Sequence, residues 1–305
     1  MKRVFCFIAI AAVLLCCAGC AKPHSATVYA MDTVMDLQVW GKDGEKALES
    51  LQAVIKEMES TWSAASEESD LRQNALPKQS RAVMEFAIQL QERTWGSFDP
   101  RLGGAVQAWG FYDKNYTVPT QEQLRDGIRS GQWDLGGMLK GYTGDQCVKA
   151  LEQLAVDRAI LNLGGNVQTY GQKPDGTPWS IGIQNPDGGD YLGVVSVVGT
   201  MAAVTSGDYQ RYFEKDGVRY HHILDPYTGM PARSGLRSVT VICRDGATAD
   251  ALSTALFVMG LEQATEFWRG SDDFEAVFIT DSGSIYATQG AALSGCEYEV
   301  IARED

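Results

Sequence analysis

The second half of the chain is a succession of short apolar segments separated by glycine and Asp-Gly turns, and this pattern narrows the possible folds more than any other feature. Segments of this length and composition, bounded by turn residues, are typical of β-strands joined in hairpins. The pattern predicts strands at residues 158–163, 179–184, 191–198, 201–205, 236–243, 276–280 and 285–288.

Helical periodicity prevails earlier in the chain. Apolar side chains recur at helical spacing in residues 47–62 and 83–90, after an opening strand at residues 27–40. Further helices are predicted at residues 140–154, 248–259 and 262–269. Early helices and late strands indicate an α+β fold with mainly antiparallel or mixed sheets rather than a doubly wound parallel sheet. No Pro/Ser linker divides the 305 residues, so we expect one large domain or two intimately packed lobes.

The first residues have the features of an export signal. Lys2 and Arg3 precede an apolar stretch that is too short to span a bilayer comfortably. Ala18-Gly19-Cys20 has the pattern of a bacterial lipoprotein processing site, which predicts a signal peptide at residues 1–19 and a lipid on Cys20. Residues 20–26 would then be a tether to the outer side of a membrane in the bacterial envelope, and residues 27–302 the folded domain. Plain secretion with cleavage nearby is the alternative.

Charge and cysteine content exclude several classes of protein. The formal net charge of -13 and the lack of any Lys/Arg run argue against nucleic acid as a partner, because phosphate backbones need a concentrated basic face. An anionic ligand would need local help from a cation or from backbone amides. Outside the leader, Cys147, Cys243 and Cys296 are widely separated, and an odd number argues against a disulfide framework.

Two adjacent histidines are the main candidates for proton transfer. Apart from His24, the chain holds only His221 and His222, within the segment Tyr220 to Gly229. An imidazole titrates near neutrality, so it is the natural proton acceptor if the chemistry needs one. We assign that role to His222 and expect His221 to be a packing or surface residue on the opposite side of a strand.

Asp250 and Thr254 are four residues apart in a segment with helical pattern, so their oxygens should lie on one face. A carboxylate and a hydroxyl are suitable ligands for a hard cation such as magnesium. Taken alone, the same aspartate could be a helix cap.

Three glycine-containing segments could bind a phosphate or lie beneath a ligand. Residues 134–142 place glycines and Lys140 where a helix should begin, and a helix start with accessible amides favours anions. Leu163-Gly164-Gly165-Asn166 and Thr205-Ser206-Gly207 follow predicted strands, where simple turns are an equal explanation. The chain lacks a P-loop, a G-x-G-x-x-G fingerprint and a G-x-S-x-G elbow.

Taken together, these segments resemble the ApbE family of FAD:protein FMN transferases. The similarity runs in order over nearly the whole mature chain. It comprises Met31-Asp32-Thr33, Gly96 to Pro100, Trp109-Gly110-Phe111, Asp134 to Tyr142 with Asp145, Leu163 to Asn166, Thr205-Ser206-Gly207, His222 to Pro231 and Ala249 to Thr254. Departures are Asp32 where glycine is common, Trp62 where tyrosine is frequent, and Arg101-Leu102 where Thr-Val is typical.

The resemblance implies an enzyme that binds FAD with Mg²⁺ and transfers the FMN half to a Ser or Thr of an exported acceptor with a D-x-x-[ST]-G-A-[ST] target, releasing AMP. It implies metal ligation by the side chains of Asp250 and Thr254 and by carbonyls of Gly137 and Ser253, with His222 as the base. The implied flavin contacts are Met31, Trp62, Ser97, Phe98, Asp99, Lys140, Gly141 and Asp145, with Ala232 a candidate through its backbone.

Two other functions fit the same residues. Water could replace the acceptor hydroxyl, which would make the protein an FAD pyrophosphatase that yields FMN and AMP. A flavin-binding lipoprotein without catalysis is the other alternative. The chain itself carries no D-x-x-[ST]-G-A-[ST] target, so we do not expect it to be the flavinylated acceptor.

Overall fold

A computed structural model describes residues 22–78 and 80–303. The predicted signal peptide at residues 1–19 and the predicted lipid on Cys20 lie outside the described residues. Within the described part, no helix is both long and apolar enough to cross a membrane.

A nine-stranded sheet forms the centre of the molecule. The strands of the structure, in chain order, are β1 His24–Ala30, β2 Thr33–Gly41, β3 Val156–Asn162, β4 Asn166–Tyr170, β5 Trp179–Gln184, β6 Tyr191–Val197, β7 Ala202–Gly207, β8 Tyr212–Lys215, β9 Val218–His221, β10 Leu236–Cys243, β11 Phe274–Thr280, β12 Ile285–Thr288, β13 Leu293–Ser294 and β14 Glu299–Ile301. The large sheet has the order β1-β2-β3-β4-β7-β10-β11-β12-β14, beside a small sheet of β13, β6 and β5 and the β8–β9 hairpin. Its strand pairs are antiparallel except for β12 with β14. The predicted α+β class with mainly antiparallel or mixed sheets is confirmed.

Helices cover the sheet and carry most of the polar residues of interest. They are α1 Gly44–Trp62, α2 Ser80–Arg93, α3 Gly103–Ala108, α4 Gln121–Ser130, α5 Leu139–Leu151, α6 Gly246–Met259 and α7 Leu261–Arg269. Helix α6 is buried on nearly every side, because it is rich in alanine and leucine and packs between α5 and strands β7 and β10.

Helices α5 and α6 cross very closely at a pair of glycines. A Cβ added to Gly141 would lie 2.0 Å from the carbonyl oxygen of Gly246, and one added to Gly246 would lie 2.5 Å from that of Gly141. Only glycines allow this approach. The crossing holds the start of α5 against the first turns of α6, where Asp250 lies.

The predicted single strand at residues 27–40 is wrong. Met31 and Asp32 have φ values of 50° and 59°, and the pairing of Ala30 with Thr33 makes them the two central residues of a tight turn between β1 and β2. Such turns usually carry Asn or Gly, so this sequence gave no turn signal. Strand β1 also begins at His24, so the last residues of the predicted 20–26 tether belong to the sheet.

Several elements were not predicted. They are α3, α4, β4, β8, β9, β13 and β14. Most are short, and all five strands have five residues or fewer, in positions set by pairing rather than by a local apolar pattern.

Candidate functional site

Asp250 is a buried carboxylate in the second turn of α6, with 4% of its surface exposed. Its Oδ2 accepts a hydrogen bond of 2.9 Å from the backbone N–H of Gly141 at the α5–α6 crossing. Burial raises the pKa of Asp250, and the positive charge of Lys140 opposes that rise. A buried carboxylate of this kind is stable as an anion only beside a cation.

Three hydroxyl groups lie next to Asp250, and one of them is within hydrogen-bonding distance of the other two. Ser206 Oγ on β7 lies 2.8 Å from Ser253 Oγ and 3.2 Å from Thr254 Oγ1 on α6. The Ser253 hydroxyl also donates to the carbonyl of Asp250 at 2.9 Å. Ser253 therefore uses its side chain within the protein, whereas its carbonyl stays a predicted ligand.

The Gly137 backbone lies beside these three hydroxyl groups. A Cβ added to Gly137 would be 3.6 Å from Thr254 Oγ1 and 3.1 Å from the Phe98 ring. The predicted metal ligands Gly137, Asp250 and Thr254 thus lie in one place, although they come from different parts of the chain.

Asn166 is an unexpected polar residue at the same place. It is 3% exposed, and neither its Nδ2 nor its Oδ1 has a hydrogen-bond partner among the described residues. Its amide is close enough to Asp250 to lower the pKa of that carboxyl, although the two groups do not have the distance and angles of a hydrogen bond. An unpaired buried amide is costly unless a ligand satisfies it.

These donors fit a hard cation. The described residues contain no cluster of three or more His, Cys, Asp or Glu side chains that could hold a metal. The assembled set is instead one carboxylate, a hydroxyl and backbone carbonyls, which are oxygen donors of the kind that Mg²⁺ binds together with substrate phosphates.

Lys140 connects the Asp250 site to His222. It is half-buried, and burial lowers its pKa, while Asp250 raises the pKa and Arg211 lowers it. Burial lowers the pKa of His222 well below its ordinary value, and the charges of Arg211 and Lys140 lower it further. Because Lys140 acts on both groups, Asp250 and His222 share one electrostatic environment.

His222 has its ring orientation fixed by a backbone carbonyl. The oxygen of Arg211 accepts from the backbone N–H of His222 at 3.1 Å and lies 3.2 Å from its Nδ1. A carbonyl oxygen can only accept, so Nδ1 carries the proton and Nε2 of the neutral ring has a free lone pair. The lowered pKa keeps the ring neutral near pH 7, which is the form that a general base requires.

His221 has a different environment. It is 2% exposed, its Nε2 lies 3.0 Å from the carbonyl oxygen of Ala232, and its ring packs edge-on against Phe257. Burial lowers its pKa to about 4. The expectation of a packing histidine agrees with this position.

Of the residues in the N-terminal half that are predicted to contact flavin, two lie in an apolar cluster and the others are polar or hydrogen-bonded. Trp62 and Phe98 belong to one apolar cluster with Ala251 and Ala255 of α6, and Trp62 is only 3% exposed. The N–H of Met31 donates to Glu59 Oε1 at 2.6 Å. Ser97 is buried, and Asp99 accepts from the N–H of Arg101 at 2.9 Å. Their roles toward flavin stay predictions.

Asp145 and Ala232 already have partners in the protein. Asp145 accepts from the N–H groups of Gly246 and Ala247 at 2.7 and 2.9 Å, so it caps the start of α6, and burial raises its pKa to about 7. It also borders a cavity of about 550 Å³ that neither His222 nor Asp250 lines. The carbonyl oxygen of Ala232 accepts from Nε2 of His221, and the N–H of Ala232 donates to the carbonyl oxygen of Ile223. Flavin contacts by either residue stay predictions.

The sequence pointed to some of the additional residues and not to others. Asn166 and Ser206 lie in strand-end segments that were singled out as places for a ligand. Arg211 carried no signal, because only the β8–β9 pairing of Tyr212 with His221 places it opposite His222. Asp134 accepts from the Tyr112 hydroxyl at 2.7 Å and from Gly136 N–H at 2.7 Å, which orders the glycine segment before α5.

Known proteins resemble this chain over most of its length. The sequence profile of the ApbE family matches residues 31–278. An FAD:protein FMN transferase of Treponema pallidum is 31% identical over 93% of this chain and 93% of its own, and one of Haemophilus influenzae is 30% identical over 95% and 97%. A crystal structure of an ApbE protein from Thermotoga maritima, 30% identical, superposes with a TM-score of 0.81 over 88% of this chain and 97% of that one. The apo flavinyl transferase ApbE of Pseudomonas stutzeri, 27% identical, gives a TM-score of 0.73 over 89% and 93%.

Proposed function

This chain belongs to the ApbE family, and we propose that it transfers the FMN moiety of FAD to a hydroxyl group of an acceptor protein and releases AMP. The observation that supports this most strongly is the environment of His222. Its Nε2 is free to accept a proton, and Lys140 places its positive charge where it acts on both His222 and Asp250.

The reaction that fits this arrangement is a direct displacement at phosphorus. The oxygen of an acceptor Ser or Thr forms a bond to the phosphorus of the FMN phosphate, the P–O bond to the AMP half breaks, and AMP leaves. The hydroxyl proton passes to Nε2 of His222. General-base assistance of this kind contributes about 10²- to 10⁴-fold to a rate.

Residues around His222 prepare the site for an anionic substrate. Lys140 places a positive charge close to where the diphosphate would lie. The amide of Asn166 has both polar atoms available for a ligand. The apolar cluster with Trp62 and Phe98 borders the site and would exclude water from one side of the flavin.

We further propose that Mg²⁺ is the cation of this site, held by the side chains of Asp250 and Thr254 with carbonyls of Gly137 and Ser253. The buried carboxylate, the adjacent Thr254 hydroxyl and the nearby Gly137 backbone support this choice. When bound, Mg²⁺ would neutralise charge on the phosphate oxygens.

The place of action and the partner are also proposals. Residues 1–19 would direct export, a lipid on Cys20 would anchor the protein to the outer side of a membrane in the bacterial envelope, and the acceptor would be an exported protein with a D-x-x-[ST]-G-A-[ST] target. The short distance in sequence from Cys20 to β1 would keep the folded domain close to the membrane surface.

A flavinylation assay tests the proposal. The purified chain without its leader is mixed with FAD, Mg²⁺ and an acceptor that carries the target motif, and the acceptor is examined by mass and by fluorescence on a denaturing gel. We expect fluorescence to remain with the acceptor. Free FMN and AMP with an unmodified acceptor would favour a pyrophosphatase, and unchanged FAD would favour a non-catalytic flavin-binding protein.

A further inference from the structure

Arg211 meets His222 across the end of the β8–β9 hairpin. It immediately precedes β8, and His222 immediately follows β9. The carbonyl of Arg211 accepts from both the backbone N–H and the ring Nδ1 of His222, so one backbone group fixes both. Any change to the Arg211 side chain leaves this carbonyl in the chain.

The guanidinium of Arg211 has unused hydrogen-bonding capacity. Its Nη2 donates to the carbonyl of Phe111 at 3.0 Å, and we find no other side-chain hydrogen bond from it within residues 22–78 and 80–303. Arg211 is exposed overall. A guanidinium has five N–H donors, so most of this fork is available to a ligand.

The charge of Arg211 acts on the groups that surround the site. It lowers the pKa of His222, of Lys140 and of Asp32. Asp32 is itself paired with Lys114 at 2.8 Å and accepts from the Tyr29 hydroxyl at 3.0 Å. Asp250 acts on Lys140, and Asp134, which accepts from the Tyr112 hydroxyl, is a further carboxylate near Arg211.

The positive charges of Lys140 and Arg211 occur together near His222 in a chain whose net charge is -13. Both positive charges lower the pKa of the His222 imidazole, and an anion bound between two such cations would reduce their mutual repulsion. A planar fork with free donors is suited to two oxygens of one phosphate group.

We propose that Arg211 is a second phosphate-binding residue of the site, whose guanidinium binds the FAD diphosphate and aligns it with His222. This inference rests on the proposed function, since it takes FAD as the ligand. It assigns Arg211 two parts: the carbonyl positions the base, and the guanidinium binds the substrate.

The test compares Arg211→Gln and Arg211→Lys with the wild type and with Arg125→Gln. Arg125 is exposed on α4 and is not among the charges that shift the pKa of His222, so its substitution removes a positive charge as a control. FAD affinity is measured by flavin fluorescence, and thermal unfolding is recorded for every variant. We expect about 10- to 100-fold weaker FAD binding in Arg211→Gln, a smaller loss in Arg211→Lys, and no loss in Arg125→Gln, because a hydrogen bond to a charged group contributes about 1.5–3 kcal/mol.

A pH profile provides a second readout that packing alone would not change. The groups whose charge acts on His222 are Arg211 and Lys140, together with His221, which becomes charged only near its pKa of about 4. Removal of the Arg211 charge should move the acid limb of kcat/KM to higher pH, and Arg211→Lys should keep that limb near its original position.

Two results would overturn the inference. One is an Arg211→Gln protein that binds FAD as tightly as the wild type. The other is an Arg211→Gln protein whose weaker FAD binding is accompanied by a lower melting temperature, while the acid limb of its kcat/KM profile stays at the wild-type pH. Failure of the proposed function would look different, because the wild type would then bind FAD in the same titration without transferring FMN to the acceptor.

Discussion

The backbone N–H of Gly141 donates a 2.9 Å hydrogen bond to Oδ2 of Asp250, and this bond links α5 to α6 at their closest approach. The same glycine would place a Cβ 2.8 Å from Asp250 Cβ if it carried one. One glycine thus both permits the helix crossing and orients the carboxylate that we propose as a metal ligand.

Gly141→Ala should destabilise the protein by about 1–3 kcal/mol, because the added methyl overlaps the Gly246 carbonyl and neither backbone can move freely. Gly144→Ala on the same helix is the matched control, since its Cβ would meet side-chain atoms of Gln168 and no backbone, with Oε1 nearest at 3.2 Å. Urea unfolding of both variants measures the difference. Equal stability of the two would mean that the crossing tolerates a larger separation.

Asp250→Asn should lose divalent cation binding, because the amide cannot supply the negative charge of the proposed ligand set. Mutation of a residue that only hydrogen-bonds to a metal ligand lowers metal affinity by about 10- to 100-fold, and loss of the ligand itself should lower it more. Mn²⁺ titrations followed by electron paramagnetic resonance, with FAD present, report binding without turnover. Asp245→Asn is the control, since Asp245 caps α6 through a 2.7 Å bond to Thr248 N–H and should affect stability alone. Undiminished Mn²⁺ binding in Asp250→Asn would contradict the assignment.

Asn166→Ala should leave the free energy of unfolding of the ligand-free protein unchanged or higher, because it removes an amide that is buried without partners. The same variant should bind FAD and Mg²⁺ more weakly. Asn162→Ala at the end of β3 should instead lose about 1 kcal/mol, since Asn162 Oδ1 accepts from Gly165 N–H at 3.0 Å. Denaturant unfolding without ligand compares the two. A large destabilisation of Asn166→Ala would show that its amide serves the fold.

His221 should make the protein less stable in acid. Its folded pKa of about 4 lies below the ordinary value of 6.5, so only the unfolded chain binds the proton between these values. Stability is therefore fully present above about pH 6.5 and is lost as pH falls toward 4, by on the order of 3 kcal/mol in total. The raised pKa of Asp145 makes the protein more stable as pH falls, so the pH dependence of the free energy of unfolding must be compared with that of His221→Phe. If the free energy of unfolding had the same pH dependence in the wild type and in His221→Phe, His221 would not be the cause of the acid sensitivity.

His222→Ala should retain FAD binding and lose about 10²- to 10⁴-fold in kcat, because the acceptor proton has no group to receive it. Added imidazole should restore part of the rate if the lost function is proton acceptance. Transfer is followed by the flavin fluorescence of the acceptor. A full wild-type rate in His222→Ala would remove this residue from the mechanism.

The sequence predicted the elements whose signals are local. Helix α6, at Gly246–Met259, contains the predicted helix at residues 248–259, and the strands at residues 179–184, 236–243 and 285–288 lie where predicted. Helix α4 was not predicted, although its sequence carries start and stop signals. Thr120 and Gln123 form a capping box, and Gly131 ends the helix in a left-handed conformation.

Other features depend on contacts that sequence spacing does not reveal. The turn at Met31 and Asp32 uses residues that rarely adopt positive φ, so tertiary contacts such as the Met31–Glu59 hydrogen bond must support it. Arg211 and His222 meet only through strand pairing, and Asn166 approaches Asp250 only through the packing of α6 on the sheet. The sequence therefore names candidate donor residues, whereas the groups that orient them are found only in the structure.

The most direct test of FMN transfer is a single-turnover reaction with equimolar FAD, Mg²⁺, enzyme and acceptor, in which AMP and the intact mass of the acceptor are measured together. A second acceptor with alanine at the target hydroxyl serves as the control. We predict one AMP released for each acceptor that gains the mass of one FMN moiety, and no gain for the control acceptor. Release of AMP with free FMN and no change in acceptor mass would contradict the account.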